Sequence, residues 1–138
     1  MNQAEYVCHA ICETAECRFL EAFNSWFITD DLERIFSVLT EDIQWEMVGE
    51  LPFDGIDAVK QSFAETPERL ENPVKRLVVE RIYADLNGGV SEGHMTMRDG
   101  SVYRFADVAT FSEAGERRIR SLKAYLIPIG SEATDSIS

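Results

Sequence analysis

Within the stretch 90–111, two carboxylates and one of only two histidines fall on strand-like runs either side of Asp99-Gly100. They are Glu92, His94 and Asp107. An imidazole beside a carboxyl can move a proton near neutral pH. Two carboxyls facing each other in a dry site would titrate as a coupled unit. Asp99-Gly100 is a turn signal between two runs of strand character. Read as a two-residue turn, it pairs Thr96 with Tyr103, His94 with Phe105 and Glu92 with Asp107, and residues directly opposite share a face. That face would carry Glu92, His94, Thr96, Tyr103, Phe105, Asp107, Ala109 and Phe111. A solvent-facing strand has no need of Phe105 and Phe111, and a plain core excludes Asp107. The wall of a part-buried pocket accommodates both. There Asp107 would have its pKa raised by desolvation. It could donate a hydrogen bond to a ligand carbonyl or act as general acid and base, with His94 as partner. The plainer alternatives are a structural Asp107, a Glu92 that reaches water at the sheet edge, and a His94 bonded to Tyr103 or Asp107.

A second group of reactive types lies near the start: Cys8, His9, Cys12 and Cys17. Their spacing matches no compact zinc pattern, and no further Cys/His pair follows. The expectation is small apolar helix residues and a surface histidine. A Glu92/His94/Asp107 metal site lacks an open facial arrangement. Neither a metal nor another cofactor is expected.

Regular elements must hold these residues in place. Residues 3–28 read as one amphipathic helix, with Ile11, Ala15, Phe19, Ala22, Phe23, Trp26 and Phe27 at helical spacing. Asp30-Asp31 breaks it and caps a short helix, Leu32 to Leu39. Ile43 to Val48 alternates as a strand, with Ile43, Trp45 and Met47 inward and Glu46 outward. A third helix spans about Ile56 to Glu65, and Thr66 to Pro73 is a polar connection. Strand character returns at Lys75. Asn87-Gly88 turns into the hairpin, Ser112 to Glu116 turns again, and Arg117 to Pro128 is the last strand. Its Leu122, Ala124 and Leu126 share one face.

A chain of 138 residues with 45% hydrophobic content fits one domain with a real core. The expected domain is residues 1–130, with 131–138 a flexible tail. A net charge of −12 argues against nucleic acid and anionic membrane surfaces as partners. No signal-like or membrane-spanning apolar run is present. Three cysteines make a secreted disulfide framework unexpected. The expected setting is therefore cytoplasmic. The basic cluster Arg117, Arg118 and Arg120 reads as ion-pair partners for the many carboxylates. Helices, a strand, a helix and then a run of four strands make an α+β architecture with a long antiparallel meander. A pocket would lie between helices and curved sheet.

Three stretches resemble a known family. They are Asp30-Asp31-Leu32-Glu33 leading to Leu39-Thr40-Glu41-Asp42-Ile43-Gln44-Trp45; the turn Gly49-Glu50-Leu51-Pro52-Phe53-Asp54-Gly55 before Ile56 to Phe63; and Ala106-Asp107-Val108-Ala109-Thr110-Phe111 followed by a Gly turn and Ala124-Tyr125. In this order, over about residues 15–128, the chain resembles the NTF2-like superfamily, the cystatin-like α+β cone. Within it, the chain is similar to the SnoaL-like polyketide cyclases and ketosteroid isomerases. The resemblance implies N-terminal helices packed on a strongly curved, mainly antiparallel sheet. Ketosteroid isomerases use a tyrosine, a general-base aspartate and a protonated aspartate. Aligned on these stretches, the tyrosine falls at Phe23 and the base at Met47, or at Glu46 in a shifted register. Only Asp107 matches.

The resulting expectation is a protein that binds a compact, mostly apolar molecule bearing a carbonyl or hydroxyl. Asp107 and His94 would do any chemistry, and Phe23, Trp26, Trp45, Met47, Glu92, Tyr103, Phe105, Leu122 and Leu126 would line the site. The rival expectations are a binding module without turnover and a protein-interaction module. A homodimer through the outer sheet face is also expected, because Met95, Met97, Val102, Ala106, Val108, Ile119, Tyr125 and Ile127 would otherwise meet water.

Overall fold

The computed structural model describes residues 4–65 and 73–132. The connection expected over 66–73, apart from Pro73, and the tail beyond Glu132 lie outside the described residues. The elements in chain order are β1 (Glu5–Cys8), α1 (Ala15–Ile28), α2 (Leu32–Ser37), β2 (Leu39–Met47), β3 (Phe53–Asp54), α3 (Ile56–Ala64), β4 (Val74–Asp85), β5 (Gly88–Met97), β6 (Ser101–Glu113) and β7 (Glu116–Ser131). The strands form one curled, unclosed sheet in the order β1-β4-β5-β6-β7-β2-β3, mostly antiparallel. The α+β reading of the sequence holds.

The N-terminal segment departs from the expected single helix. Residues 5–8 form an edge strand parallel to β4, pairing Tyr6 with Leu77 and Cys8 with Val79. The Tyr6 hydroxyl donates to the Glu21 carbonyl at 3.2 Å and ties this strand to α1. Tyr6 and Cys8 pack against the Leu77, Val79 and Phe105 cluster, and that burial selects strand over helix. Thr14 then starts α1, its side chain accepting from Cys17 N at 3.1 Å. Cys12 and Cys17 form a disulfide, which corrects the reading of these cysteines as small apolar helix residues, and Cys8 is a free thiol.

The core lies between the three helices and the inner face of the sheet. Ile35, Ile43, Val59 and Ile119 are fully buried there, with Leu20, Phe23, Leu39, Trp45, Ala109, Phe111 and Leu122 around them. Aromatic edges knit the layers together: Phe19 meets Phe111, and Phe27 meets Trp45. Among the described residues, no helix is long and apolar enough to cross a membrane.

A bulge in β4 between Val79 and Arg81 resets the alternation. Leu77 and Val79 before it, and Ile82 and Ala84 after it, all join the core. Simple period-2 counting places Ile82 and Ala84 on the opposite face from Leu77, and the bulge overturns it.

Candidate functional site

The turn between β5 and β6 decides which residues meet. Arg98, Asp99 and Gly100 form a three-residue loop, with the Gly100 N–H donating to the Met97 carbonyl at 3.0 Å. Gly100 takes a positive φ of 92°, as the third position of such a loop requires. Asp99 Oδ1 accepts from the Ser101 backbone N–H and hydroxyl. A three-residue loop moves the pairing by one residue relative to a two-residue turn. Asp107 therefore faces Ser91, Phe105 faces Gly93, Tyr103 faces Met95, and His94 faces Arg104. A slip of one residue sends every side chain of one strand to the other face.

The expected Glu92/His94/Asp107 grouping is therefore corrected. Asp107 stays on the helix-facing side, where Ala109 and Phe111 of the same alternation enter the core. Glu92 and His94 lie on the outer side. Glu92 pairs there with Arg81 at 3.1 Å. His94 Nδ1 meets Glu80 Oε2 at 2.9 Å, and Arg104 reaches the same oxygen at 3.0 Å. These two bonds hold the Glu80 carboxyl below its usual range, the His94 hydrogen bond contributing most. Arg104, on the outer face, thus pairs with a carboxylate of its own chain.

The surroundings of Asp107 follow from the register. Ser91 sits on one side and Ala124 on the other, with Met47 of β2 one strand further. Phe105 and Ala109 flank it along β6, opposite Leu126 and Leu122. These neighbours carry no charge, and among the described residues the Asp107 carboxyl has no hydrogen-bond or ion-pair partner. Water still reaches part of the side chain, yet the packed apolar atoms desolvate it and push its pKa up to about 7. The expected protonation near neutral pH agrees with this environment.

The other expected site residues divide. Met47 faces inward and Glu46 outward, as the alternation implied: Met47 pairs with Ala124 and Glu46 with Lys123. Phe105 and Leu122 are buried, Tyr103 and Met47 are half-buried, and Leu126 is exposed at 37%. Phe23, Trp26 and Trp45 belong to the aromatic core beneath α1 rather than to an open wall. Met95 and Ile119, expected outside, also pack inward. Two polar residues escaped the sequence reading. Asn24 is 4% exposed on α1 and donates through Nδ2 to Ser91 Oγ at 2.9 Å, and Ser91 is 3% exposed. A polar residue on the apolar stripe of α1 was the available signal for Asn24.

Among the described residues, no group of three or more His, Cys, Asp and Glu is arranged to hold a metal. An open depression of about 410 Å³ lies at the β4–β5 turn, lined by Tyr83, Asp85, Asn87, Gly88 and Val108 among others. Asp107 does not line it.

The curled, mostly antiparallel sheet and its covering helices define an NTF2-like α+β cone. The SnoaL-like domain family matches residues 18–121, and the chain belongs to that family. Solved structures agree on the fold. An NTF2-like protein of unknown function from Burkholderia pseudomallei superposes with a TM-score of 0.65 at 15% identity, covering 91% of this chain and 96% of that one. A candidate ketosteroid isomerase from Kribbella flavida gives 0.67 at 13%, covering 80% and 76%. A candidate polyketide cyclase from Sinorhizobium meliloti gives 0.60 at 14%, covering 78% and 93%. No curated protein matches the chain in sequence.

Proposed function

We propose that the inner face around Asp107 binds a small, mostly apolar molecule through one carbonyl or hydroxyl oxygen. The observation that carries this reading is a partnerless inward carboxyl among Phe105, Ala109, Ala124 and Met47, held near neutrality by desolvation. A neutral carboxyl donates a hydrogen bond to a carbonyl oxygen, and an ionised one accepts from a hydroxyl. The surrounding apolar side chains suit a hydrocarbon body. The SnoaL-like family and the isomerase and cyclase descriptions of two structural relatives support a role of this kind.

Asp107 is the residue for any isomerase-like proton transfer. The second reading, binding without turnover, draws on Phe23 and Met47, which stand where the isomerases carry a tyrosine and a base. His94 is no partner to Asp107 in either reading, since it points away. Calorimetry with 2-naphthol tests binding. Asp107→Ala should weaken it about tenfold, the value of one lost hydrogen bond. Equal affinity in the variant overturns the proposal. Conversion of a β,γ-unsaturated ketone to its conjugated isomer, followed by ultraviolet absorbance, separates the readings: turnover abolished in Asp107→Ala favours the enzyme, and no turnover favours the binding module.

A homodimer through the outer face also belongs to this proposal. Val90, Ala106, Val108, Tyr125 and Ile127 share that face, with Tyr125 and Ile127 exposed at 40% and 60%. A cytoplasmic setting is proposed too, but the Cys12–Cys17 disulfide weighs against it, since thiols there are kept reduced.

A further inference from the structure

We propose that Asn24 and Ser91 act as a positioning pair for Asp107, aiming the Ser91 hydroxyl proton at one carboxyl oxygen and leaving the other to serve the ligand. The inference rests on the ligand-binding reading of Asp107. Its first support is the hydrogen-bond arithmetic of Asn24. Nδ2 donates to the Leu20 carbonyl at 2.9 Å and to Ser91 Oγ at 2.9 Å. A carbonyl only accepts, so the amide orientation is fixed by Leu20. Both protons of the Asn24 amide are then committed, and Ser91 Oγ must accept.

The Ser91 hydroxyl retains its own proton. Among the described residues that proton has no acceptor, and at 3% exposure water does not replace one. Leaving a buried donor unmade costs about 1–3 kcal/mol. The unpartnered acceptor directly opposite is the Asp107 carboxyl. Opposed residues on antiparallel strands hold their Cβ atoms about 4.5–5.5 Å apart on one face. Rotation of the Asp107 side chain brings a carboxyl oxygen onto the hydroxyl. No charged group competes, since the inward residues flanking Asp107 are Ser91, Gly93, Ala124, Leu122, Leu126 and Met47, and the buried residues of α1 are Cys17, Leu20, Phe23 and Asn24.

The consequence is directional. With Ser91 donating to one oxygen, the acid proton of neutral Asp107 resides on the other, which faces the open side. Ser91 also favours the ionised form, because a hydroxyl donor stabilises the carboxylate more than the acid.

The test is the titration of the Asp107 carboxyl carbon by NMR in the free, full-length protein. Ser91→Ala removes the donor and should raise the midpoint by about one pH unit. Asn24→Ala frees the hydroxyl to turn elsewhere and should raise it by a smaller amount. Ser91→Thr keeps the hydroxyl and should restore the midpoint. An unmoved midpoint in Ser91→Ala, or in whichever of the first two variants folds, overturns the relay. Because no ligand is needed, a shifted midpoint with no 2-naphthol binding leaves the relay standing while the binding proposal falls.

Discussion

Asp107 is an acid whose folded pKa, about 7, lies above its ordinary value of 3.8, with desolvation as the cause. Between these values the folded state holds more protons than the unfolded one, so stability falls as pH rises through that window. The contribution is fully present below about pH 4 and is lost as pH passes 7. Its ceiling is about 4 kcal/mol, reduced by the water that reaches the half-buried carboxyl. Asp107→Asn should flatten this slope in denaturant melts run from pH 4 to 8 and should make the protein more stable than the wild type at pH 8. A variant with the wild-type slope would locate the pH dependence elsewhere. In the core, Ile119 is fully buried among Ile35, Ile43 and Leu122. Ile119→Ala should cost about 2–5 kcal/mol in equilibrium unfolding. A loss below about 1 kcal/mol would mean that the site collapses around the smaller residue.

At the scale of elements, much of the fold was legible, and the failures have specific causes. Both later helices, the inward run of Ile43, Trp45 and Met47, and the meander after Lys75 were visible as periodicity. The register of β5 on β6 was not, because Asp-Gly suits a two-residue turn and Arg-Asp-Gly suits a three-residue loop equally well. Only the inward packing of β5, with Ser91 against Asn24 of α1 and Met95 against Leu77, Val79 and Phe105, selects the second. That single choice kept Asp107 in the site and removed Glu92 and His94. The bulge at Glu80 hid Ile82 and Ala84 in the same way, since an inserted residue leaves no mark in composition. Residues 5–8 read as helix because a four-residue strand carries too little period to compete with the strong helical spacing of α1. The Cys12–Cys17 bridge closes a short loop that runs into the first turn of α1, worth about 2 kcal/mol in a chain-entropy treatment. Thiol titration of the unreduced, denatured protein should therefore find one reactive cysteine, Cys8; three would remove the bridge.

For the whole molecule, the outer sheet face bears on assembly. The β5–β6 register moves Met95 inward and a bulge in β7 between Ile119 and Ser121 does the same for Ile119, yet Val90, Ala106, Val108, Tyr125 and Ile127 remain outside around the paired Glu80, His94 and Arg104. A two-fold pairing of such faces buries the same patch on both copies. Sedimentation at micromolar concentration should give about twice the 15.6 kDa chain mass. Tyr125→Lys, placed in the middle of the face, should return it to one. A wild-type monomer would end the dimer proposal.

The strand β7 carries 16 residues, but its neighbours differ along its length. From Ile119 to Ala124 it lies between β6 and β2, while from Tyr125 onward its registered partner is β6 alone. In the language of amide exchange it is two strands in one. The first half should release its protons only when the whole protein opens. In the second half, every amide turned away from β6 should exchange through local fluctuation, and Pro128 has none to offer. A single covalent strand should thus report both globally and locally protected backbone, with the change falling between Ala124 and Tyr125.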